Sequence, residues 1–235
     1  MTTAPNFLDE TGAASLATMV MMSHHGMRRD LALFARALAA PGTPLAPGRA
    51  AALGEEWLKF RGTLHGHHAA EDGGLFPMVR AQRPALGEIL DGLGADHRRI
   101  DPVLERGDAL FARLGEPGQA AAAAALVREL SGLLAPHLAT EEANVGPVLR
   151  AVRTFELPIK TDEEAAMVAE GFAWSSQGIA PEVLERVHAL VPERVAVRLP
   201  AARAAFRERQ LRVWGEEPPG ASRTAAPEHL PFPPG

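Results

Sequence analysis

A histidine and a glutamate interrupt an apolar helical stripe in the first half of the chain. The positions on this stripe are Leu53, Trp57, Phe60, Leu64, His67, Glu71 and Leu75. They lie three or four residues apart, which is the spacing of a helix face that packs against a core. Burying an imidazole and a carboxylate on such a face is costly unless another group compensates them. A metal ion would do so, and the pattern therefore predicts a metal ligand pair, His67 and Glu71.

Three further predicted helices each carry one histidine on an apolar stripe. His24 lies on a helix predicted over about 11–40, and His97 on a helix over about 84–114. His137 lies on a helix over about 119–150, and Glu141 follows it one turn later. A lone histidine on an apolar face is usually a hydrogen-bonded core residue, but four helices that share this feature favour a common metal site.

The second and fourth of these helices repeat each other. His67-x-x-x-Glu71 and His137-x-x-x-Glu141 lie 70 residues apart, and both motifs are followed by a proline six residues after the glutamate. This repeat indicates two helical hairpins related by a pseudo-twofold axis. We therefore expect an all-α protein, an antiparallel up-down-up-down four-helix bundle whose interior holds all six side chains at one level.

Composition supports a helical protein and excludes several kinds of site. Alanine and leucine are abundant, and the chain has no tyrosine. The absence of cysteine excludes disulfides, iron–sulfur clusters and thiolate zinc sites. A net charge of −5 with both signs interspersed predicts no nucleic-acid surface. With no signal peptide and no apolar run of roughly 20 residues, we expect a cytoplasmic protein that does not enter a membrane.

The pattern changes after the fourth helix. Thr161 to Glu164 form a capping box that opens a short helix, and two further helices are predicted from Pro181 and Pro192. We expect three regions: a metal-binding bundle over 1–152, a helical extension over 153–215, and a disordered Pro/Gly-rich tail over 216–235. The extension is a candidate surface for a homodimer.

Several polar residues beside the predicted ligands are further candidates for the site. Asp101, one turn after His97, is a further candidate ligand, and a shift of one residue would make Glu142 a ligand instead of Glu141. His68 falls off the predicted stripe, but it adjoins the site and could act by supporting a ligand. Imidazole and carboxylate donors without thiolate suit iron, manganese or zinc, and six donors favour two ions over one.

The motifs resemble the hemerythrin-like (HHE cation-binding) domain family, in the bacterial form with a helical C-terminal extension. The resemblance covers roughly residues 12–150. It includes the flanking segments Asp96-His97-Arg98-Arg99-Ile100-Asp101 and Leu75-Phe76-Pro77. It implies a non-haem di-iron centre, two iron ions held by a four-helix bundle through His24, His67, Glu71, His97, His137 and Glu141.

The chain departs from the oxygen-carrying hemerythrins at two positions. Those proteins have a second histidine one turn after the ligand of the third helix, where this chain has Asp101. Their carboxylate of the fourth helix follows its histidine by five residues, whereas Glu141 follows His137 by four. These differences argue against simple reversible oxygen carriage.

The leading hypothesis is a di-iron protein that binds or reduces a small oxidant, namely dioxygen, peroxide or nitric oxide, for sensing or detoxification in oxidative stress. Whether the protein is an enzyme, a sensor or a carrier stays open. The alternative is a structural iron- or zinc-binding helical module without redox turnover. A metal-free interaction module would need six buried ionisable groups to pair among themselves.

Overall fold

A computed structural model describes residues 7–39, 45–153 and 159–215 of the chain. The described residues form helices, turns and loops, with no strand among them. The ten α-helices in this part of the chain are α1 (Leu16–Ala37), α2 (Pro47–Ala70), α3 (Phe76–Gln82), α4 (Gly87–Phe111), α5 (Gln119–Asn144), α6 (Gly146–Arg150), α7 (Asp162–Ser175), α8 (Pro181–His188), α9 (Glu193–Ala196) and α10 (Leu199–Trp214). The predicted all-α fold, a helical bundle followed by additional helices, is confirmed.

Prolines account for the places where the helices are shorter than expected. Pro84 begins a turn of 3₁₀-helix, Pro84–Leu86, so that the α-helical hydrogen bonding of α4 starts at Gly87. The helix predicted from Pro192 onward is divided into α9 and α10, since Pro200 has no N–H to donate to the preceding turn. The predicted tail over 216–235 lies outside the described residues.

The chain divides into two compact units, and the boundary falls within α1 and again within α6. The bundle unit is Met27–Gly146, and the terminal unit contains the residues up to Gly26 and from Pro147 onward. The predicted domain division after residue 152 stays a prediction.

Four aromatic rings fill one region of the bundle unit. Trp57 of α2 stacks on Phe111 of α4, with ring centroids 4.3 Å apart and planes 7° apart. Phe34 of α1 meets Trp57, Phe60 and Phe111 edge-on at 5.2 to 5.9 Å. These rings are 2% exposed or less, and such pairs add to the free energy of burial. Aromatic packing therefore holds α1, α2 and α4 together through their apolar stripes.

The terminal unit has a core of its own. Its buried residues are Ala14, Met22, Ala165, Ala169, Phe172, Ile179, Val187, Val195 and Leu199. Thr161 accepts a hydrogen bond from the backbone N–H of Glu164, whose side chain accepts from the N–H of Thr161, so the predicted capping box is formed. Within the described ranges, no helix has both the length and the apolar character needed to cross a membrane.

Candidate metal centre

The C-terminal end of α2 and the residue that follows it turn three polar side chains inward. His68 and Glu71 are 3% and 2% exposed, and the side chain of His67 is 11% exposed. His67 and His68 lie three and four residues after the buried Leu64, so both are close to the core-facing side of the helix. Glu71 lies on that same side one turn later.

A π-helical segment, Glu71–Leu75, separates α2 from α3. The N–H of Phe76 donates to the carbonyl of Glu71, five residues earlier. Pro77 follows and has no N–H for an α-helical bond. Single π-turns of this kind occur frequently at functional sites. The segment here begins at the buried carboxylate itself.

Four buried side chains, from α2, the π-helical segment, α4 and α5, converge to form what we call the imidazole cluster. Each offers one ligand atom, and these four atoms all lie within 4.8 Å of one another. None of the four residues is more than 3% exposed. The members of the imidazole cluster are His68, Glu71, His97 and His137.

A second group, the carboxylate cluster, contains His67, Glu71 and Glu141, whose ligand atoms also lie within 4.8 Å of one another. Glu71 belongs to both clusters. Its Oε1 lies 2.6 Å from Nε2 of His67, and its Oε2 lies 3.4 Å from Nε2 of His97. The two oxygens of one carboxylate therefore face imidazoles of two different ligand sets.

An acidic side chain orients one of these imidazoles. Oδ2 of Asp72 lies 3.0 Å from Nδ1 of His97, and Nε2 of the same ring is directed toward Glu71. A carboxylate that is hydrogen-bonded to one ring nitrogen of a metal-binding histidine fixes the tautomer, so that the other nitrogen can bind the metal. Asp96 approaches Nδ1 of His137 at 3.9 Å, which is too long for a direct hydrogen bond.

Burial and neighbouring charges set the protonation of two imidazoles. Burial, with a contribution from nearby His97, lowers the pKa of His68 to about 2, so this ring is neutral near pH 7. Burial also acts to lower the pKa of His97, but hydrogen bonds with Glu71 and Asp72 outweigh it, and the net shift is upward. A neutral imidazole is the form that binds a metal.

The structure distinguishes among the residues that were predicted as ligands. It brings His67, Glu71, His97, His137 and Glu141 together, as described above. His24 is completely buried on α1. Asp101 belongs to neither cluster, although its Oδ1 is buried without a hydrogen-bond partner among the described residues.

The two adjacent glutamates of α5 have different environments. Glu141 is 1% exposed, whereas Glu142 accepts a hydrogen bond from Nη1 of Arg28 at 2.6 Å. The ion pair between Glu142 and Arg28 is partly exposed. Glu141 is therefore the carboxylate that α5 turns into the cluster.

His68 is the cluster residue that the sequence interpretation placed off the stripe. The stripe from Phe60 to Leu64 can continue by three residues to His67 or by four to His68, and both steps follow a helix face. The predicted stripe continues through His67 alone. The exact four-residue spacing of Phe60, Leu64 and His68 was the available signal for the second.

Apolar side chains surround the polar groups. Leu64 and Leu93 lie one turn before the histidines of α2 and α4 and are 0% and 1% exposed. The ring of Phe76 stacks near His97, with centroids 5.7 Å apart. Apolar surroundings of this kind lower the local dielectric constant and so strengthen electrostatic interactions within the site.

The comparisons with known proteins identify one family. The family model for the hemerythrin HHE cation binding domain matches residues 15–149. No curated protein and no solved structure matches the chain. The matched residues make up more than half of the chain and contain every member of both clusters. The chain therefore belongs to the hemerythrin HHE cation-binding family.

Proposed function

We propose that this protein holds two iron ions and binds or reduces a small oxidant, namely dioxygen, peroxide or nitric oxide. The observation that carries the proposal is the shared position of Glu71. One carboxylate that faces two imidazole-containing sets is suited to bridging a pair of ions. Membership of a cation-binding family supports metal binding in general, and iron is the finer part of the proposal.

The donor atoms fit such a pair. They are imidazole nitrogens and carboxylate oxygens, a combination that suits iron, manganese and zinc. Both ring nitrogens of His68 are buried without a hydrogen-bond partner in the described part of the chain, as expected for a side chain that needs a metal. The proposed ligands are His67, Glu71, His97, His137 and Glu141, with His24 as a further ligand from α1.

The residues around the site have different roles in holding such a centre. Asp72 fixes the orientation of His97 through Nδ1. Leu64, Leu93 and Phe76 keep bulk water away, and an apolar enclosure admits diatomic ligands and peroxide more readily than organic substrates. When two ferrous ions are bound at this site, they would supply two electrons to a small oxidant.

The test begins with the purified full-length protein. Metal content per chain is measured by mass spectrometry, and optical spectra are recorded after anaerobic reduction and after re-exposure to air. We expect two irons per chain and near-ultraviolet bands that disappear on reduction and return in air. One colourless zinc per chain, or a folded chain that takes up no metal, would contradict the proposal and favour a structural module.

Variants of acidic residues in and beside the clusters sharpen the test. Glu71→Gln removes the shared carboxylate, so the binding of both ions should weaken. Glu141→Gln should weaken one ion more than the other, because Glu141 belongs to one cluster. Glu142→Gln is the matched control, since this neighbour pairs with Arg28 and should leave the metal content at two.

A further inference from the structure

His68 has an environment that a structural role does not explain. This residue is only 3% exposed, yet neither Nδ1 nor Nε2 has a hydrogen-bond partner among the described residues. Buried polar groups in proteins are nearly always hydrogen-bonded, because burial without a partner loses the hydrogen bonds made with water. Two unpartnered nitrogens on one ring therefore require another partner.

The neighbours of His68 indicate what that partner is. The ring stacks on His97, with centroids 4.0 Å apart and planes 14° apart, and meets His137 edge-on at 5.5 Å. A ligand atom of His68 lies within 4.8 Å of ligand atoms of Glu71, His97 and His137. Three imidazoles and a carboxylate at this separation could hold a cation, which would be the partner that both nitrogens of His68 lack among the described residues.

We propose that His68 is itself a metal ligand, for the ion that Glu71, His97 and His137 also hold. The inference rests on the proposed two-ion centre and adds a ligand outside the predicted set. It makes the two ions unequal. The imidazole cluster contains one carboxylate, Glu71, whereas the carboxylate cluster contains two, so the second set attracts a cation more strongly.

The test is an anaerobic titration of the metal-free full-length protein with ferrous iron. The variant His68→Leu removes both nitrogens and retains a buried side chain. Loss of a residue that only supports a ligand weakens metal affinity 10- to 100-fold, so loss of a ligand should weaken it by at least about 100-fold. In the His68→Leu variant we expect this loss of affinity for one ferrous ion, while the other ferrous ion still binds.

His65→Leu is the matched control, because His65 lies on the same helix and is exposed. It should bind both ions as the unmodified protein does. A second variant, His68→Gln, keeps a polar side chain and allows the measurement if the leucine variant does not fold. Circular dichroism of the metal-free proteins checks folding in each case.

Two results separate the inference from the function on which it rests. If the folded His68→Leu or His68→Gln variant binds two ferrous ions with unchanged affinity, His68 only stacks on His97 and the inference is wrong, whereas the two-ion centre stands. If the unmodified protein binds no ferrous iron, the proposed function fails, and the inference fails with it.

Discussion

Gly107 is the position where a single added methyl group should be most damaging. A Cβ built at Gly107 would lie 2.0 Å from Cζ2 of Trp57 and 2.6 Å from Cε2. Trp57 cannot easily move, since it is completely buried, stacks on Phe111, and donates from Nε1 to Oδ1 of Asp108 at 2.9 Å. The variant Gly107→Ala must therefore displace a ring or shift α4.

The size of the effect follows from three contributions. Overpacking in a close-packed core costs about 1–3 kcal/mol. Breaking the hydrogen bond between Trp57 and Asp108 adds about 1 kcal/mol. Replacing glycine by alanine within a helix restores about 1 kcal/mol. We expect the free energy of unfolding to fall by about 1–3 kcal/mol in total.

The measurement is urea denaturation of the metal-free protein, followed by tryptophan fluorescence and circular dichroism. Gly92→Ala is the control, because Gly92 is exposed on the same helix and its added Cβ would contact nothing within 4 Å. That variant should be stabilised by about 0.5–1 kcal/mol. If Gly107→Ala is as stable as Gly92→Ala, the close approach of Trp57 to α4 is wrong.

Three further predictions concern other parts of the molecule. Asp72→Asn should weaken metal affinity at least about tenfold, measured by titration, because the neutral amide orients His97 less firmly; unchanged affinity would show that this contact has no role. Gly26→Ala should lower the thermal unfolding midpoint, since its Cβ would lie 2.6 Å from the ring of Trp174; an unchanged midpoint would contradict that packing. The pKa of Asp9 is lowered from 3.8 to about 2, chiefly because its carboxylate accepts hydrogen bonds from the hydroxyl of Thr11 and from backbone N–H groups. The ionised carboxylate therefore stabilises the fold fully above pH 3.8, and this stabilisation is lost as the pH falls through 2. Denaturation of Asp9→Asn and the unmodified protein from pH 5 to pH 2 should show a difference in stability that shrinks on acidification, and a constant difference would refute the assignment.

Much of the fold could be predicted from local patterns. Stripes with a spacing of three and four residues, punctuated by prolines and glycines, identify the long helices of the bundle and the capping box at Thr161. The repeated His-x-x-x-Glu motif and the lone histidines identify the family, and the family model matches nearly the same residues. These features are carried by neighbours in sequence, so no tertiary information is needed to find them.

Tertiary structure decided which of several adjacent polar residues enter the site. The choice between Glu141 and Glu142 depends on Arg28, more than 100 residues away in the chain, which pairs with Glu142. Asp72 likewise supports the site only because its carboxylate is hydrogen-bonded to His97, which lies on another helix.

The burial of His68 has the same origin. Residues three and four positions after Leu64 are both near one helix face, so periodicity alone cannot choose between His67 and His68. The ring of His68 contacts His97 of α4 and His137 of α5 and is buried, whereas His67 stays partly exposed beside Glu71. The sequence by itself determined the helices and the kinds of donor atom; the assignment of donors to two clusters required contacts between helices, because that assignment depends on distances across the bundle.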